Sequence, residues 1–443
     1  MLRRLKSLVP SPLVLAYHRV LSWISAAWYG NPSNELIVVG VTGTNGKTTT
    51  AYLAAKALEA SGFPTGCTTT ALFKIGDREW LNDRKMTMLG RFQLQKFLRD
   101  MVRVGCAYAV VETSSQGIVQ SRHRGINYDV VVFTNLTPEH IEAHGGFENY
   151  KQAKIDLFRH AARSPRKIFN GVTIPKIAVL NAGDAHAKDF AVPGLDRVVW
   201  YGLEEGGGSV GQDHADVVAM DIRESPDHVE FAVDGIPVTV HMPGKVNVEN
   251  ALAAIASASA LGIPIELAAA KIETVSGMPG RFERIDEGQP WTVIVDYAPE
   301  PASLTRLYET VSHMSRHKLI HVLGSCGGGR DVARRPILGR MAGERADIVI
   351  VTNEDPYDDD PKSIMDQVAD GAREAGKKDG ESLFVIEDRR EAIAEAMRIA
   401  EPEDIVLLTG KGCEQAIMIA EGKRIPWDER DVARDAIRAR LEA

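Results

Sequence analysis

Residues 37–50 read IVVGVTGTNGKTTT: an apolar strand that runs into a glycine-rich turn and leaves it as Lys-Thr-Thr at the head of a helix. Gly43 and Gly46 let backbone N–H groups turn inward on an anion, and the helix that begins near Lys47 adds the positive end of its dipole. The loop Gly43-Thr44-Asn45-Gly46-Lys47-Thr48-Thr49 is therefore a candidate site for the phosphates of a nucleotide. Lys47 is placed to reach the terminal phosphates, and the Thr48 hydroxyl to ligate Mg²⁺. The spacing departs from the general G-x-x-x-x-G-K-[ST] form, because Val41 stands where that form needs glycine. The shorter G-T-N-G-K-T-T form belongs to a narrower class, so the departure sharpens the signal.

Outward from this loop the chain alternates strand and helix. Apolar strands are legible at 107–112, 129–134, 177–181 and 197–202, with helical stretches between several of them. Such alternation predicts a mostly parallel sheet covered by helices. Around 216–242 the pattern turns to short alternating strands, an antiparallel meander at the edge of the same domain. Helices follow from about Asn247 to Leu261 and from about Ile265 to Val275, and Gly277, Pro279 and Gly280 then mark a boundary. From Trp291 a second α/β unit of Rossmann-like type begins, with strands WTVIVDYA, KLIHVLG, DIVIVTN, SLFVIED and DIVLLTG. Its GSCGGGRD turn (324–331) lacks G-x-G-x-x-G, so this unit reads as the carrier of a second substrate. The expected map is a short helical segment 1–35, a central nucleotide-binding domain 36–278 and a C-terminal domain 279–443.

Composition excludes several classes. At 44% hydrophobic and 25% charged residues, 443 residues can build more than one core. A formal charge of −8 argues against a nucleic-acid partner. Four cysteines (Cys67, Cys106, Cys326, Cys413) without C-x-x-C spacing fit a reducing cytoplasm and offer no zinc site. At the N-terminus, basic MLRRLK precedes an apolar stretch, 12–29, that Ser11 and Pro12 open as a helix. Leu13, Tyr17, Val20, Leu21, Ile24 and Trp28 share one stripe, away from His18, Arg19, Ser22 and Ser25. His18 and Arg19 interrupt the run and argue against a transmembrane span. Two readings stay open, a helix packed on the body and an interfacial helix at a membrane; packing is the favoured one.

Several strand ends carry chemistry. Glu112 closes the strand AVVE beside the phosphate loop, where such a protein needs a metal ligand or a water-holder. His140 follows the strand DVVVFTNLT, with Glu139 and His144 near it, and Lys154 lies on the helix after it. By themselves Lys154 reads as a surface lysine and His140 as a structural histidine.

The motifs GTNGKTT, VVETSS, TNLTPEHIEAHG, YKQAKIDLF, GKVNVENALAA, GRFE, VDYA, Arg335-Pro336 and GKGCE occur in that order over residues 36–443. In this the chain resembles the Mur ligase family, most of all the branch that adds the third residue to the muramyl peptide stem. The resemblance implies an ATP-dependent amide ligase with a central ATPase domain and a C-terminal domain that brings the amine. It implies Thr48, Glu112 and His140 as ligands of two Mg²⁺, and Lys154 as a lysine that CO₂ converts to a carbamate, a hard anionic oxygen donor. It implies Asn250 at the adenine, Arg281 at the phosphates and Asp296 at the ribose. Ser114 and Arg122 would hold the carboxylate substrate, and Arg335, Asp355 and Glu414 the amino acid.

The departures matter too. Only residues 1–35 precede the phosphate-loop strand, which does not fit the branch's usual uridine-binding domain and favours an acceptor that is not UDP-linked, such as a lipid-linked muropeptide or a polyamide. Where diaminopimelate-adding members have Asp-Asn-Pro-Arg, this chain has Glu354-Asp355-Pro356-Tyr357, which points to a basic or neutral amino acid. Gln116, Pro299 and Cys413 stand where histidines are usual, and Cys413 is expected in a substrate-facing turn, not as a nucleophile. A P-loop binding module without ligase chemistry is the alternative from another class.

Overall fold

The computed structural model describes residues 11–138, 144–204, 215–330 and 332–442. The first domain is built on the strands β1 (Ile37–Thr42), β2 (Thr65–Thr68), β3 (Leu72–Ile75), β4 (Arg78–Leu81), β5 (Tyr108–Glu112), β6 (Val130–Phe133), β7 (Lys167–Phe169), β8 (Val172–Ile174), β9 (Ile177–Asn181), β10 (Arg197–Leu203), β11 (Val217–Glu224), β12 (Val229–Val233) and β13 (Ile236–Val240). All but the β7–β8 pair form one sheet in the order β13-β12-β11-β10-β9-β6-β1-β5-β2-β3-β4. Its centre is parallel, and both edges are antiparallel meanders. The sequence reading has the β11–β13 meander and omits the β3–β4 hairpin and the helix Arg91–Arg103.

β1 sits between β5 and β6 with all six residues buried, which is why it reads as an unbroken apolar run rather than an alternating one. Its Gly40 is required by packing: a Cβ there would lie 2.7 Å from the Tyr128 ring. The register pairs Val41 with Glu112 and Thr42 with Phe133, so the ends of three strands meet where the glycine-rich turn begins. Helix Lys47–Leu58 leaves that turn and packs on the alanine-rich helix Lys245–Ala260, both almost entirely buried. Small side chains allow that close approach.

The second domain holds β14 (Glu283–Ile285), β15 (Thr292–Asp296), β16 (Leu319–Leu323), β17 (Ile348–Thr352), β18 (Leu383–Ile386), β19 (Ile405–Thr409), β20 (Ala416–Met418) and β21 (Arg424–Pro426). Its main sheet runs β14-β15-β19-β16-β17-β18, parallel except for β14. Helices Pro301–Ser312, Arg334–Arg345, Pro361–Glu374 and Arg389–Ile399 follow the expected alternation. The highly charged helix Glu429–Glu442 was not foreseen; it is held by Val432, Ala433 and Ile437 and by Glu429, which receives the buried Arg389 guanidinium.

The N-terminal helix Ser11–Trp28 packs on the body, but not by its apolar stripe. It turns its small polar side to the body: Ser22 and Ser25 are buried, and Ser22 Oγ donates to the Ser121 carbonyl at 2.6 Å. A Cβ on Gly125 would lie 2.7 Å from the Ser22 carbonyl oxygen, so glycine there permits the contact. The apolar stripe faces away, with Tyr17 60% and Trp28 76% exposed. No described helix is long and apolar enough to cross a membrane.

Candidate active site

A cavity of about 550 Å³ opens between the phosphate loop and the second domain. Thr44–Thr49, Glu112, Ser114, Arg122, Lys154 and Asn250 line it from the first domain, and Arg281 and Asp296 from the second. Sequence positions far apart are thus brought to one site. His140 and Glu139 lie outside the described residues.

The loop is shaped by two glycines that no other residue could replace. Gly43 has φ +153° and Gly46 φ +79°, and a Cβ on Gly46 would lie 2.3 Å from the Asn250 carboxamide oxygen. Two loop N–H groups are spent within the protein, Thr44 N on the Asn135 carbonyl and Asn45 N on Asn135 Oδ1, both at 2.8 Å. The N–H groups of Lys47, Thr48 and Thr49 lie in the first helical turn, where no intrahelical acceptor exists. They form the anion-facing set. Lys47 Nζ donates to the Thr44 carbonyl at 2.5 Å and so stands over the turn.

Thr48 and Glu112 meet as a hydroxyl–carboxylate pair, Oγ1 lying 3.0 Å from each carboxylate oxygen. Glu112 also accepts from Thr70 N at 2.6 Å and Thr70 Oγ1 at 3.0 Å, and is buried. A hydroxyl and a carboxylate beside anion-facing amides are the hard oxygen donors Mg²⁺ takes. With the cradle that a Cβ at Gly46 would fill, these residues fit a Mg²⁺–nucleotide. Among the described residues no group of three or more His, Cys, Asp or Glu could hold a metal by itself.

Lys154 is not a surface lysine. It is 1% exposed, donates to the Gly43 carbonyl at 2.5 Å and lies 4.4 Å from the centre of the Tyr150 ring. The helix Phe147–Arg163 carries it into the underside of the phosphate loop, and helical periodicity alone did not mark that position as an inward one. Tyr150 reaches the same loop through Thr44 Oγ1 at 3.1 Å.

Other expected contacts hold one another. Asn250 accepts from Thr50 Oγ1 at 3.1 Å and donates to Asn247 Oδ1 at 3.0 Å, which sets it against the phosphate loop. Asp296 accepts from Phe282 N and Ala298 N, and burial pushes its carboxyl up despite Arg281 nearby. Arg281 stacks on Tyr297, 4.5 Å from the ring centre. Ser114 caps the helix Ser115–Val119, and Arg122 is held by Gln120 and the Met88 carbonyl, its pKa lowered by burial and by Arg91.

Three expected residues do not line the cavity. Arg335 is buried on the Cys326 carbonyl and near Asp359, and does not face the cavity. Asp355 and Glu414 are engaged by Lys85 and Lys411. Cys413 is likewise buried beneath its turn, its thiol pushed up to about 11 by burial. Sequence reading missed Lys85, Thr70 and Arg330, all lining residues. Only Arg330 had a signal, its place in the glycine-rich GSCGGGRD turn.

A glycine-rich loop with a hydroxyl–carboxylate pair beside it, facing a second α/β domain across a cavity, fits a two-domain nucleotide-dependent enzyme. The Mur ligase middle domain family matches residues 41–258, and the Mur ligase, glutamate ligase domain family matches residues 280–412. The chain is 41% identical over 441 residues to a UDP-N-acetylmuramyl-tripeptide synthetase of Roseiflexus sp. (strain RS-1), covering 97% of this chain and 84% of that one. It is 36% identical to a UDP-N-acetylmuramoyl-L-alanyl-D-glutamate--2,6-diaminopimelate ligase of Halalkalibacterium halodurans, covering 99% and 86%. Among solved structures, a 2,6-diaminopimelate ligase of the same description aligns with a TM-score of 0.58 at 30% identity, covering 92% of this chain and 79% of that one. Mycobacterium tuberculosis folylpolyglutamate synthase shares the fold, with a TM-score of 0.67 at 18% identity, covering 89% and 92%. The chain belongs to the Mur ligase family. It is an ATP- and Mg²⁺-dependent ligase that joins a carboxylic acid to an amine.

Proposed function

We propose that this ligase works in the cytoplasm on a muramyl-peptide carboxylate and an amino acid, at the site between residues 36–278 and 279–443. The observation that carries the reading is the convergence of Lys47, the Thr48–Glu112 pair and buried Lys154 on one phosphate loop, across a cavity from a second domain. The substrate carboxylate attacks the terminal phosphate of ATP, and ADP leaves to give an acyl-phosphate. The amine then displaces phosphate from the acyl carbon. Lys47 and the first-turn amides neutralise charge that develops on the transferred group. Thr48 and Glu112 would hold a Mg²⁺, which would supply Lewis-acid neutralisation, and the family resemblance implies His140 and a Lys154 carbamate for a second ion. Arg122 and Ser114 border the acceptor side, and Arg281 and Asp296 the nucleotide side.

The test is coupled ADP release. With UDP-N-acetylmuramoyl-L-alanyl-D-glutamate or a lipid-linked muropeptide as acceptor, release should need both acceptor and amine, and Lys47→Ala should abolish it. ADP release independent of both would favour an ATPase module without ligase chemistry, and no ADP release with any acceptor and amine a binding module.

The proposal extends to place. Leu13, Tyr17, Val20, Trp23, Ile24 and Trp28 leave one exposed apolar, aromatic face on the helix Ser11–Trp28. Arg3, Arg4 and Lys6 precede it, and Arg19 and Arg163 lie close enough to Arg124 to lower its pKa together with burial. An exposed aromatic face on a helix that a basic sequence precedes, in a chain of net −8, complements an anionic bilayer surface. Co-sedimentation with phosphatidylglycerol vesicles should be lost in Trp23→Ala/Trp28→Ala. Concentration-dependent dimerisation without vesicle binding would assign the face to a second copy instead.

A further inference from the structure

The turns that end β17 and β19 carry a buried cluster of four charges. Asp355 accepts from Lys85 Nζ at 2.6 and 2.5 Å and from Lys411 Nζ at 3.0 Å, and a third donor, Met418 N, reaches it at 2.7 Å. Glu414 lies 2.7 Å from Lys411 Nζ and 3.3 Å from Lys85 Nζ. Both ammonium groups also donate to the Ala416 carbonyl at 2.8 Å. Lys411, Asp355 and Glu414 belong to the second domain. Lys85 comes from the first, on the loop after β4, at a residue held with φ +51°. Lys85 lines the cavity, while Asp355 and Glu414 lie behind it.

This cluster stands at the carboxyl ends of parallel strands, where α/β sheets bind small molecules. Two carboxylates and two ammonium groups balance to zero, so a further ammonium brought in by a substrate side chain would find this acidic pair already neutralised and would face Lys85. The Tyr357 ring covers the glycine turn, for a Cβ on Gly328 would lie 2.7 Å from it. We propose that Lys85 determines amine specificity: its ammonium fills the acidic pair Asp355–Glu414, and the amino acid that this ligase accepts carries no side-chain ammonium. This rests on the ligase reading above, and narrows the basic-or-neutral expectation to a monoamino acid. Burial lowers the Lys85 pKa, against Glu414 and Asp355, which raise it, while Lys411 is raised by its carboxylate neighbours in spite of burial.

The test compares kcat/KM for alanine, norleucine, lysine and ornithine with UDP-N-acetylmuramoyl-L-alanyl-D-glutamate as the acceptor probe. Norleucine matches lysine in length without its charge, so their ratio isolates the ammonium. The wild type should favour norleucine over lysine, and alanine over ornithine, by at least tenfold. Lys85→Met leaves the pair one positive charge short and should shift the lysine-to-norleucine ratio at least tenfold toward lysine, while Lys85→Arg should keep the wild-type order. Wild-type preference for lysine would overturn the inference, as would an unchanged ratio in a folded, active Lys85→Met enzyme. The wild-type panel decides the matter even if that variant does not fold. No ADP release with any amine on either UDP-N-acetylmuramoyl-L-alanyl-D-glutamate or a lipid-linked muropeptide would overturn the ligase reading and this inference with it, which separates the two failures.

Discussion

Replacing Glu112 by glutamine removes one charge and almost no volume. The carboxylate is 1% exposed and accepts from Thr48 Oγ1, Thr70 N and Thr70 Oγ1. A glutamine oxygen at the Oε2 position keeps the Thr70 N–H and the Thr48 hydroxyl. Its NH₂ group then faces Thr70 Oγ1, which can accept because it has Thr87 Oγ1 as a partner at 3.0 Å. The second amide N–H faces Thr48 Oγ1, 3.0 Å from the Oε1 position, so no donor is left unpaired. Three charge-assisted bonds become neutral ones at a loss of about 1 kcal/mol each, largely offset by no longer burying an anion. The fold should therefore change in stability by no more than ~2 kcal/mol. The metal site should suffer far more, since an amide oxygen replaces an anionic ligand; a loss of ~3 kcal/mol corresponds to roughly a hundredfold higher Mg²⁺ midpoint. ADP release measured against Mg²⁺ concentration, beside urea unfolding of the same protein, separates the two effects. A Mg²⁺ midpoint within twofold of wild type in a stably folded Glu112→Gln enzyme would refute the ligand assignment.

Three further outcomes follow from the same structure. Lys154→Ala should lower ligation at least a hundredfold, with partial recovery in high acetate; near-normal turnover in bicarbonate-free buffer would exclude the carbamate. Gly46→Ala forces a Cβ onto the Asn250 carboxamide at φ +79° and should raise the ATP KM at least tenfold, read by initial rates, while an unchanged KM would show that the loop can shift. His321 is buried between Tyr308 and Thr409, and burial depresses its pKa to about 3. Its neutral form is favoured in the fold, so stability is complete above the unfolded pKa of about 6.5 and is lost as pH falls from there toward 3. At pH 5 this single group costs about 2 kcal/mol. His321→Asn should flatten the pH dependence of urea stability between pH 7 and 5 by that amount, and an unaltered slope would count against it.

The α/β architecture and the phosphate loop were legible because their signals are local. An apolar strand, two glycines at positive φ and Lys-Thr at a helix start sit within fourteen consecutive residues. The antiparallel edge β11–β13 was legible from alternation, and the strands of the second sheet from short apolar runs between turns. The β20–β21 pair and the helix Glu429–Glu442 were not, since three-residue strands and a charged helix carry little periodicity and are held by contacts such as Arg389–Glu429.

What the sequence determined by itself is which residue types stand at strand ends and which helix face is apolar. What it could not determine is the partner that each face or charge meets. The stripe on the helix Ser11–Trp28 is plain in the sequence, yet Ser22, Ser25 and Gly125 allow the closer approach, so the opposite face packs. Lys154 occupies an ordinary helical position until the helix is laid under Gly43, where the loop carbonyl makes it a buried cation. Asp355 and Glu414 look ready for a ligand's ammonium, but a lysine 270 positions away from Asp355 reaches them first. Periodicity and propensity act over a few residues, whereas charge neutralisation in a buried site depends on which side chains the tertiary fold brings within about 3 Å.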